Sequence, residues 1–213
     1  MASLLSSLVA ALLLINLVAL GTSRIGTVVR AVALQGVLLG ILAAAAHGTL
    51  NFRVLALAAA SIALKGWLIP VILFRALRQV AIKREVEPSL GLLPSLLLGA
   101  FATMLAVAAG NHLPLAETLL ARLLIPASLA TVAAGFILLT TRRKAITQVL
   151  GYLVLENGIF IFGLLLVEAM PFLVEAGVML DLFVGIFVLS IIIHHINREF
   201  ASLDTRRMSL LKD

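Results

Sequence analysis

The chain has 213 residues, of which 62% are hydrophobic and 12% charged, and its formal net charge is +6. A soluble domain is nearer about half apolar and about a quarter charged, so this composition excludes an ordinary soluble globule. The absence of cysteine excludes disulfides, iron–sulfur ligation and thiolate chemistry within the chain, and no glycine-rich phosphate loop is present.

The apolar residues fall into seven runs, most of them close to the roughly 20 residues that a bilayer-spanning helix needs. They are continuous rather than alternating. That pattern predicts helices, which satisfy their own backbone hydrogen bonds in lipid, and not a barrel. The expected fold class is all-α: a polytopic membrane protein with seven transmembrane helices over 3–21, 27–46, 53–78, 90–110, 117–141, 145–167 and 173–197. Gly21, Gly26, Gly48, Pro88, Gly110, Pro114 and Pro171 mark the expected joints.

The first run, MASLLSSLVAALLLINLVALGTS, has the length of a signal peptide's apolar region or more, but lacks a basic start. It is read as a retained helix. Asn16 on this helix and Gln35 on the second are the residue types that form interhelical hydrogen bonds in lipid. The third run carries Lys65 in SIALKGWLIP and outlasts the hydrocarbon as RALRQVAIKRE, an amphipathic stretch suited to the interface. Pro70 lies where it can kink this helix and free a carbonyl.

The fourth run has no buried charge, and neither does the fifth. The sixth carries Glu156, and steps of four backwards give Tyr152 and Gln148 on one gently drifting stripe. Asn157 points about 100° away around the same helix. The seventh carries Asp181, followed by Gly185, which permits close helix approach. His195, fourteen residues on, returns to nearly the same face.

Basic residues alternate between loops. Arg24 and Arg30 follow the first run. Arg75, Arg78, Lys83 and Arg84 follow the third, Arg142, Arg143 and Lys144 the fifth, and Arg198, Arg206, Arg207 and Lys212 the seventh. The remaining loops are poor in them. The positive-inside rule then places the N-terminus outside and the C-terminus in the cytoplasm. The scatter of these residues at helix ends also argues against nucleic acid, which takes a clustered basic face.

A charge at mid-bilayer costs about 2.5–3.5 kcal/mol on the insertion scale, so it tends to be shielded and functional. Three such residues, Lys65, Glu156 and Asp181, outline a buried polar route whose natural cargo is a proton. Carboxyls and lysines in apolar surroundings titrate closer to neutrality, and histidine does so unperturbed. The candidates for proton transfer are Glu156, Asp181, Lys65, His195, His194, Tyr152 and Gln148. The plainer alternatives are a protonated Glu156 acting as packing glue, an ion pair of Lys65 with Glu156 or Asp181, and histidines that merely end a helix. Adjacent histidines diverge too far to share a metal easily, and no HExxH occurs. No metal, cofactor or catalytic residue is expected.

The stretch LARLLIPASLATVAAGFILLTTRRKAITQVLGYLVLENGIFIFG resembles the small three-helix subunit of respiratory complex I, with Glu156 in LENGIF at that family's buried glutamate. DLFVGIF offers Asp181 at its second carboxylate, although aspartate replaces glutamate and the separation is shorter. Over the last third, GYLVLENGIFIFG, LDLFVGIFVLSIIIHHINREF and SLDT resemble the hydrogenase-4 component E family, membrane subunits of energy-converting [NiFe]-hydrogenase and formate hydrogenlyase complexes. The first half matches only in length and helix pattern. This resemblance implies antiporter-like membrane subunits, a quinone-site-like membrane subunit and peripheral [NiFe]-hydrogenase subunits as partners. It also implies a non-catalytic role and placement in the cell inner membrane.

The expected organisation is a three-helix unit over 1–88, a connector helix over 89–116, and a second three-helix unit with a cytoplasmic tail over 117–213. Two other readings stay open: a subunit of a multisubunit cation/proton antiporter, and a purely structural membrane linker.

Overall fold

The computed structural model describes residues 2–46, 52–79, 89–112 and 118–166. In chain order these form α1 (Ala2–Gly21), α2 (Ile25–Ala46), α3 (Phe52–Ser61), a π-helical segment (Ile62–Leu68), α4 (Ile69–Gln79), α5 (Leu92–His112), α6 (Leu119–Thr141) and α7 (Ala145–Gly163). Among the described residues five helices are long and apolar enough to cross a membrane: α1, α2, α5, α6 and α7. α3, the π segment and α4 follow one another without a break, so helix continues through the whole of the third expected run. The expected seventh helix, with Asp181, His194 and His195, lies outside the described residues.

Lipid tails are as apolar as leucine, so burial of apolar surface does not drive these helices together. Close packing at small residues does. Gly36 and Gly40, four residues apart on α2, form one such surface. A Cβ on Gly36 would fall 2.6 Å from the backbone carbonyl carbon of Lys65, and one on Gly40 would fall 2.8 Å from the Ala58 carbonyl oxygen. The backbones of α2 and the π segment therefore touch directly. Ser61 fastens the contact by donating its hydroxyl to the Gly36 carbonyl at 3.2 Å.

The α6–α7 hairpin is built the same way. Gly135 meets the backbone of Leu155, and a Cβ on Gly158 would lie 2.6 Å from the Val132 nitrogen. α1 packs on α6 and on α2, α2 packs on α7, and α5 packs on α6 and α1. α5 is the outlier. Only 17% of its membrane-length window is buried within the chain, against 61% for α6.

Gly26 and Gly110, expected as joints, lie inside helices instead. A Cβ on Gly110 would sit 2.5 Å from Pro126 of α6. Its glycine is required for a close crossing rather than for a turn.

The helix ends sort consistently. The Arg142 guanidinium, just past α6, donates through Nη2 to the Leu20 carbonyl near the end of α1 at 2.7 Å. Ser89, just before α5, donates its backbone N–H and its hydroxyl to the Thr141 carbonyl, each at 2.8 Å. Phe74 of α4 lies against Gly26 at the start of α2. The ends of α1, α4 and α6 and the starts of α2, α5 and α7 thus share one end of the bundle. The basic residues 24, 30, 75 and 142–144 belong to that end.

Candidate functional site

Lys65 is carried by the π segment. A π turn holds an extra residue and widens the helix locally, and such bulges often occur where a side chain must be aimed. The segment packs on α2, where Gly36 lets the lysine backbone approach. From there the Lys65 Nζ lies 2.9 Å from Glu156 Oε1 on α7, with both side chains buried. The ammonium also lies 5.2 Å from the centroid of the Phe160 ring, one turn further along α7. At this separation a ring face attracts a cation. Lysine and glutamate, 91 residues apart in the chain, thus form an ion pair enclosed by α2, α7 and the π segment.

At about 1.5 Å per residue, Glu156 lies roughly 16 Å along α7 from its start. That is close to the middle of a hydrocarbon core about 30 Å thick. A charge pair at this depth is costly to desolvate unless its geometry is good, and removal of one member leaves an uncompensated charge.

A second polar group abuts the first. Asn157 Nδ2 donates to Gln35 Oε1 at 3.2 Å, Gln35 Nε2 donates to Asn16 Oδ1 at 2.6 Å, and Asn16 Nδ2 donates to Thr131 Oγ1 at 2.9 Å. Thr131 in turn donates its hydroxyl to the Ala127 carbonyl at 2.7 Å. Each of these side chains is buried. The chain of amides joins α7, α2, α1 and α6. It lies near the ion pair because α7 and α2 contribute sequence neighbours to both places: Glu156 and Asn157 from α7, and Gln35 beside Gly36, which meets the Lys65 backbone, from α2.

The expected site residues separate. Lys65 and Glu156 come together. Tyr152 is half-buried on α7 one turn before Glu156. Gln148 lies near the start of α7, where its amide donates to the Arg142 carbonyl at 3.0 Å, so it serves the loop end of the hairpin. Asp181, His194 and His195 lie outside the described residues. Among the described residues no group of histidine, aspartate and glutamate could hold a metal ion.

Arg142 was expected only as a loop charge, yet it is buried at 2% exposure. Its Nη1 has no hydrogen-bond partner among the described residues. Burial draws its guanidinium pKa below the usual arginine range. The residues that sequence reasoning missed are Thr131, Asn157 as an amide link, and the Gly36–Gly40 pair. The pair was detectable as two glycines one turn apart immediately after Gln35.

An uncharacterized protein of Mycobacterium tuberculosis, Rv0085, is 31% identical over 188 residues, covering 87% of this chain and 86% of its own. The chain belongs to the family of that protein. Hydrogenase-4 component E of Escherichia coli K12 and that of Shigella flexneri are each 27% identical over 147 residues, covering 68% of this chain and 67% of theirs. No family model matches the chain, and no solved structure matches it. The apolar helices and the similarity to a hydrogenase component together describe a multi-pass membrane protein.

Proposed function

We propose that this chain is a non-catalytic membrane subunit of an energy-converting hydrogenase or complex I-like assembly, in which the Lys65–Glu156 pair forms part of a proton-transfer axis coupled to electron transfer. The observation that carries the reading is the ion pair itself, 2.9 Å long and buried near mid-span. Similarity to hydrogenase-4 component E supports the assembly. Antiporter-like subunits, a quinone-site-like subunit and peripheral [NiFe]-hydrogenase subunits are the proposed partners, and the cell inner membrane is the proposed location.

The pair has the chemistry for the task. A proton delivered to the Glu156 carboxylate cancels its charge and releases the ammonium from its strongest attraction. The ammonium then has the Phe160 ring as a weaker holding point, or passes a proton onward. Two interacting groups of this kind titrate as a unit, so the two protonation states share one pair of macroscopic steps. Asp181, His195 and His194 are proposed as further stations on the same axis, and Tyr152 as a flanking hydroxyl beside Glu156. Gln148, held by the Arg142 carbonyl, is proposed only as a polar group at the entrance.

Glu156→Gln tests the reading. It keeps a hydrogen-bonding side chain of the same length and removes the proton site. The assembled complex in vesicles is expected to retain electron transfer while losing most of its proton translocation. Undiminished translocation by a normally assembled complex would reject the proposal.

The proposed orientation has the N-terminus outside and the basic end of the bundle in the cytoplasm. It follows from the positive-inside rule and agrees with the grouping of helix ends above. Reporter fusions after Ser89 and Asp213 should report the cytoplasm, and a fusion after Asn111 the outside. A fusion after Ser89 reporting the outside would refute this orientation.

A further inference from the structure

The amide chain beside the ion pair has a direction, and the direction follows from its last member. Thr131 spends its hydroxyl proton on the Ala127 carbonyl, so its oxygen can only accept from Asn16. Asn16 must therefore present its NH2 to Thr131 and its carbonyl oxygen to Gln35. Gln35 must present its NH2 to Asn16 and its oxygen to Asn157, and Asn157 must donate. Each amide is thus fixed by its neighbour, and the series runs from α7 to a backbone carbonyl of α6. Asn16 and Asn157 are 1% exposed, and Gln35 and Thr131 0%.

Such a chain carries hydrogen bonds but not protons. To pass one along, an amide must accept a proton at oxygen and lose another from nitrogen, which leaves the higher-energy imidic tautomer. Three amides in series, Asn157, Gln35 and Asn16, would all have to do so. The terminal acceptor is a backbone carbonyl, which cannot release what it receives. A carboxyl has no such restriction, because its two oxygens are equivalent and it takes a proton on one and gives it up from the other.

We propose that Asn157, Gln35, Asn16 and Thr131 form a proton barrier, a hydrogen-bonded wall that confines a proton on Glu156 to the Lys65 side of the bundle. This rests on the reading that Glu156 carries a proton. It goes beyond that reading by assigning a function to four residues that do not titrate. The wall adjoins Glu156: it begins at Asn157, the next residue on α7, and runs from there to α2, α1 and α6, whereas Lys65 reaches Glu156 from the π segment. An apolar wall would also exclude protons, but Asn157 follows Glu156 directly on α7, and a satisfied amide chain fixes the rotation of that helix as well.

The test is passive proton leak through the full-length chain reconstituted in vesicles with an entrapped pH-sensitive dye and a potassium diffusion potential. Gln35→Ala removes one link and leaves a polar space that admits water, which relays protons, and should leak several-fold faster than wild type. Gln35→Met keeps the length, fills the space without hydrogen bonds and should stay as tight as wild type. Gln35→Ala combined with Glu156→Gln should return the leak to the wild-type level. Asn157→Ala repeats the design if Gln35→Ala fails to insert. The proposal is overturned if neither alanine variant leaks, if Gln35→Met leaks as much as Gln35→Ala, or if the leak survives loss of Glu156. These results are separable from the coupling reading, which fails on its own if Glu156→Gln leaves translocation by the assembled complex unchanged.

Discussion

α5 and α7 are both apolar helices of membrane length, and α5 is the more apolar of the two. Their surroundings differ sharply. α5 exposes Leu93, Leu97, Phe101, Met104 and Leu105 along its length and approaches its neighbours closely at glycines, Gly99 against Leu20 and Gly110 against Pro126. α7 buries Glu156 and Asn157 and is pinned to α6 and α2. The lesson is that apolarity specifies that a segment enters the membrane, whereas the few polar residues specify which face turns inward and what that face does.

The comparison breaks most sharply if the ion pair is disrupted. Lys65→Met leaves the Glu156 carboxylate buried without its countercharge. Breaking a buried pair from one side costs about 3–5 kcal/mol, so thermal unfolding in detergent should show a large loss. The double variant Lys65→Met with Glu156→Leu should recover much of it, because no charge is then left behind. A single variant as stable as wild type would mean that the pair does not organise the bundle.

At the small end, Leu97→Ala removes an apolar side chain that is 61% exposed on α5. Surface substitutions away from special features usually change stability by less than about 0.5 kcal/mol. The same measurement should therefore barely register it. A loss comparable to that of Lys65→Met would show that α5 is held as tightly as α7 and would erase the contrast.

Most of the helical layout was legible in the sequence, because span length and the loop charges are set by the bilayer itself. Six of the seven expected runs coincide with described helix to within a few residues. The partnership of Lys65 with Glu156 stood among the alternatives, since a buried cation needs an anion and only two carboxylates were deep enough. The residues could not decide between Glu156 and Asp181, because that depends on helix neighbours, and apolar helices carry little pairing information. The π segment was equally hidden. No local residue type demands it, and it is associated with the close approach of Lys65 to Gly36. Asn16 and Gln35 were expected to bridge helices and do so, but their common chain with Asn157 and Thr131 became visible only in three dimensions. Gln148 shared the stripe of Glu156 by periodicity, yet two turns along a helix carried it out to the loop, where Arg142 holds it.

The central claim is that Glu156 changes protonation as electrons move through the assembly. Infrared difference spectroscopy of the assembled complex in membranes, recorded as electron transfer is started, reads this directly. The account predicts a protonated-carboxyl band that rises or falls with turnover and disappears in Glu156→Gln. A spectrum with no turnover-dependent carboxyl band assignable to Glu156 would contradict it.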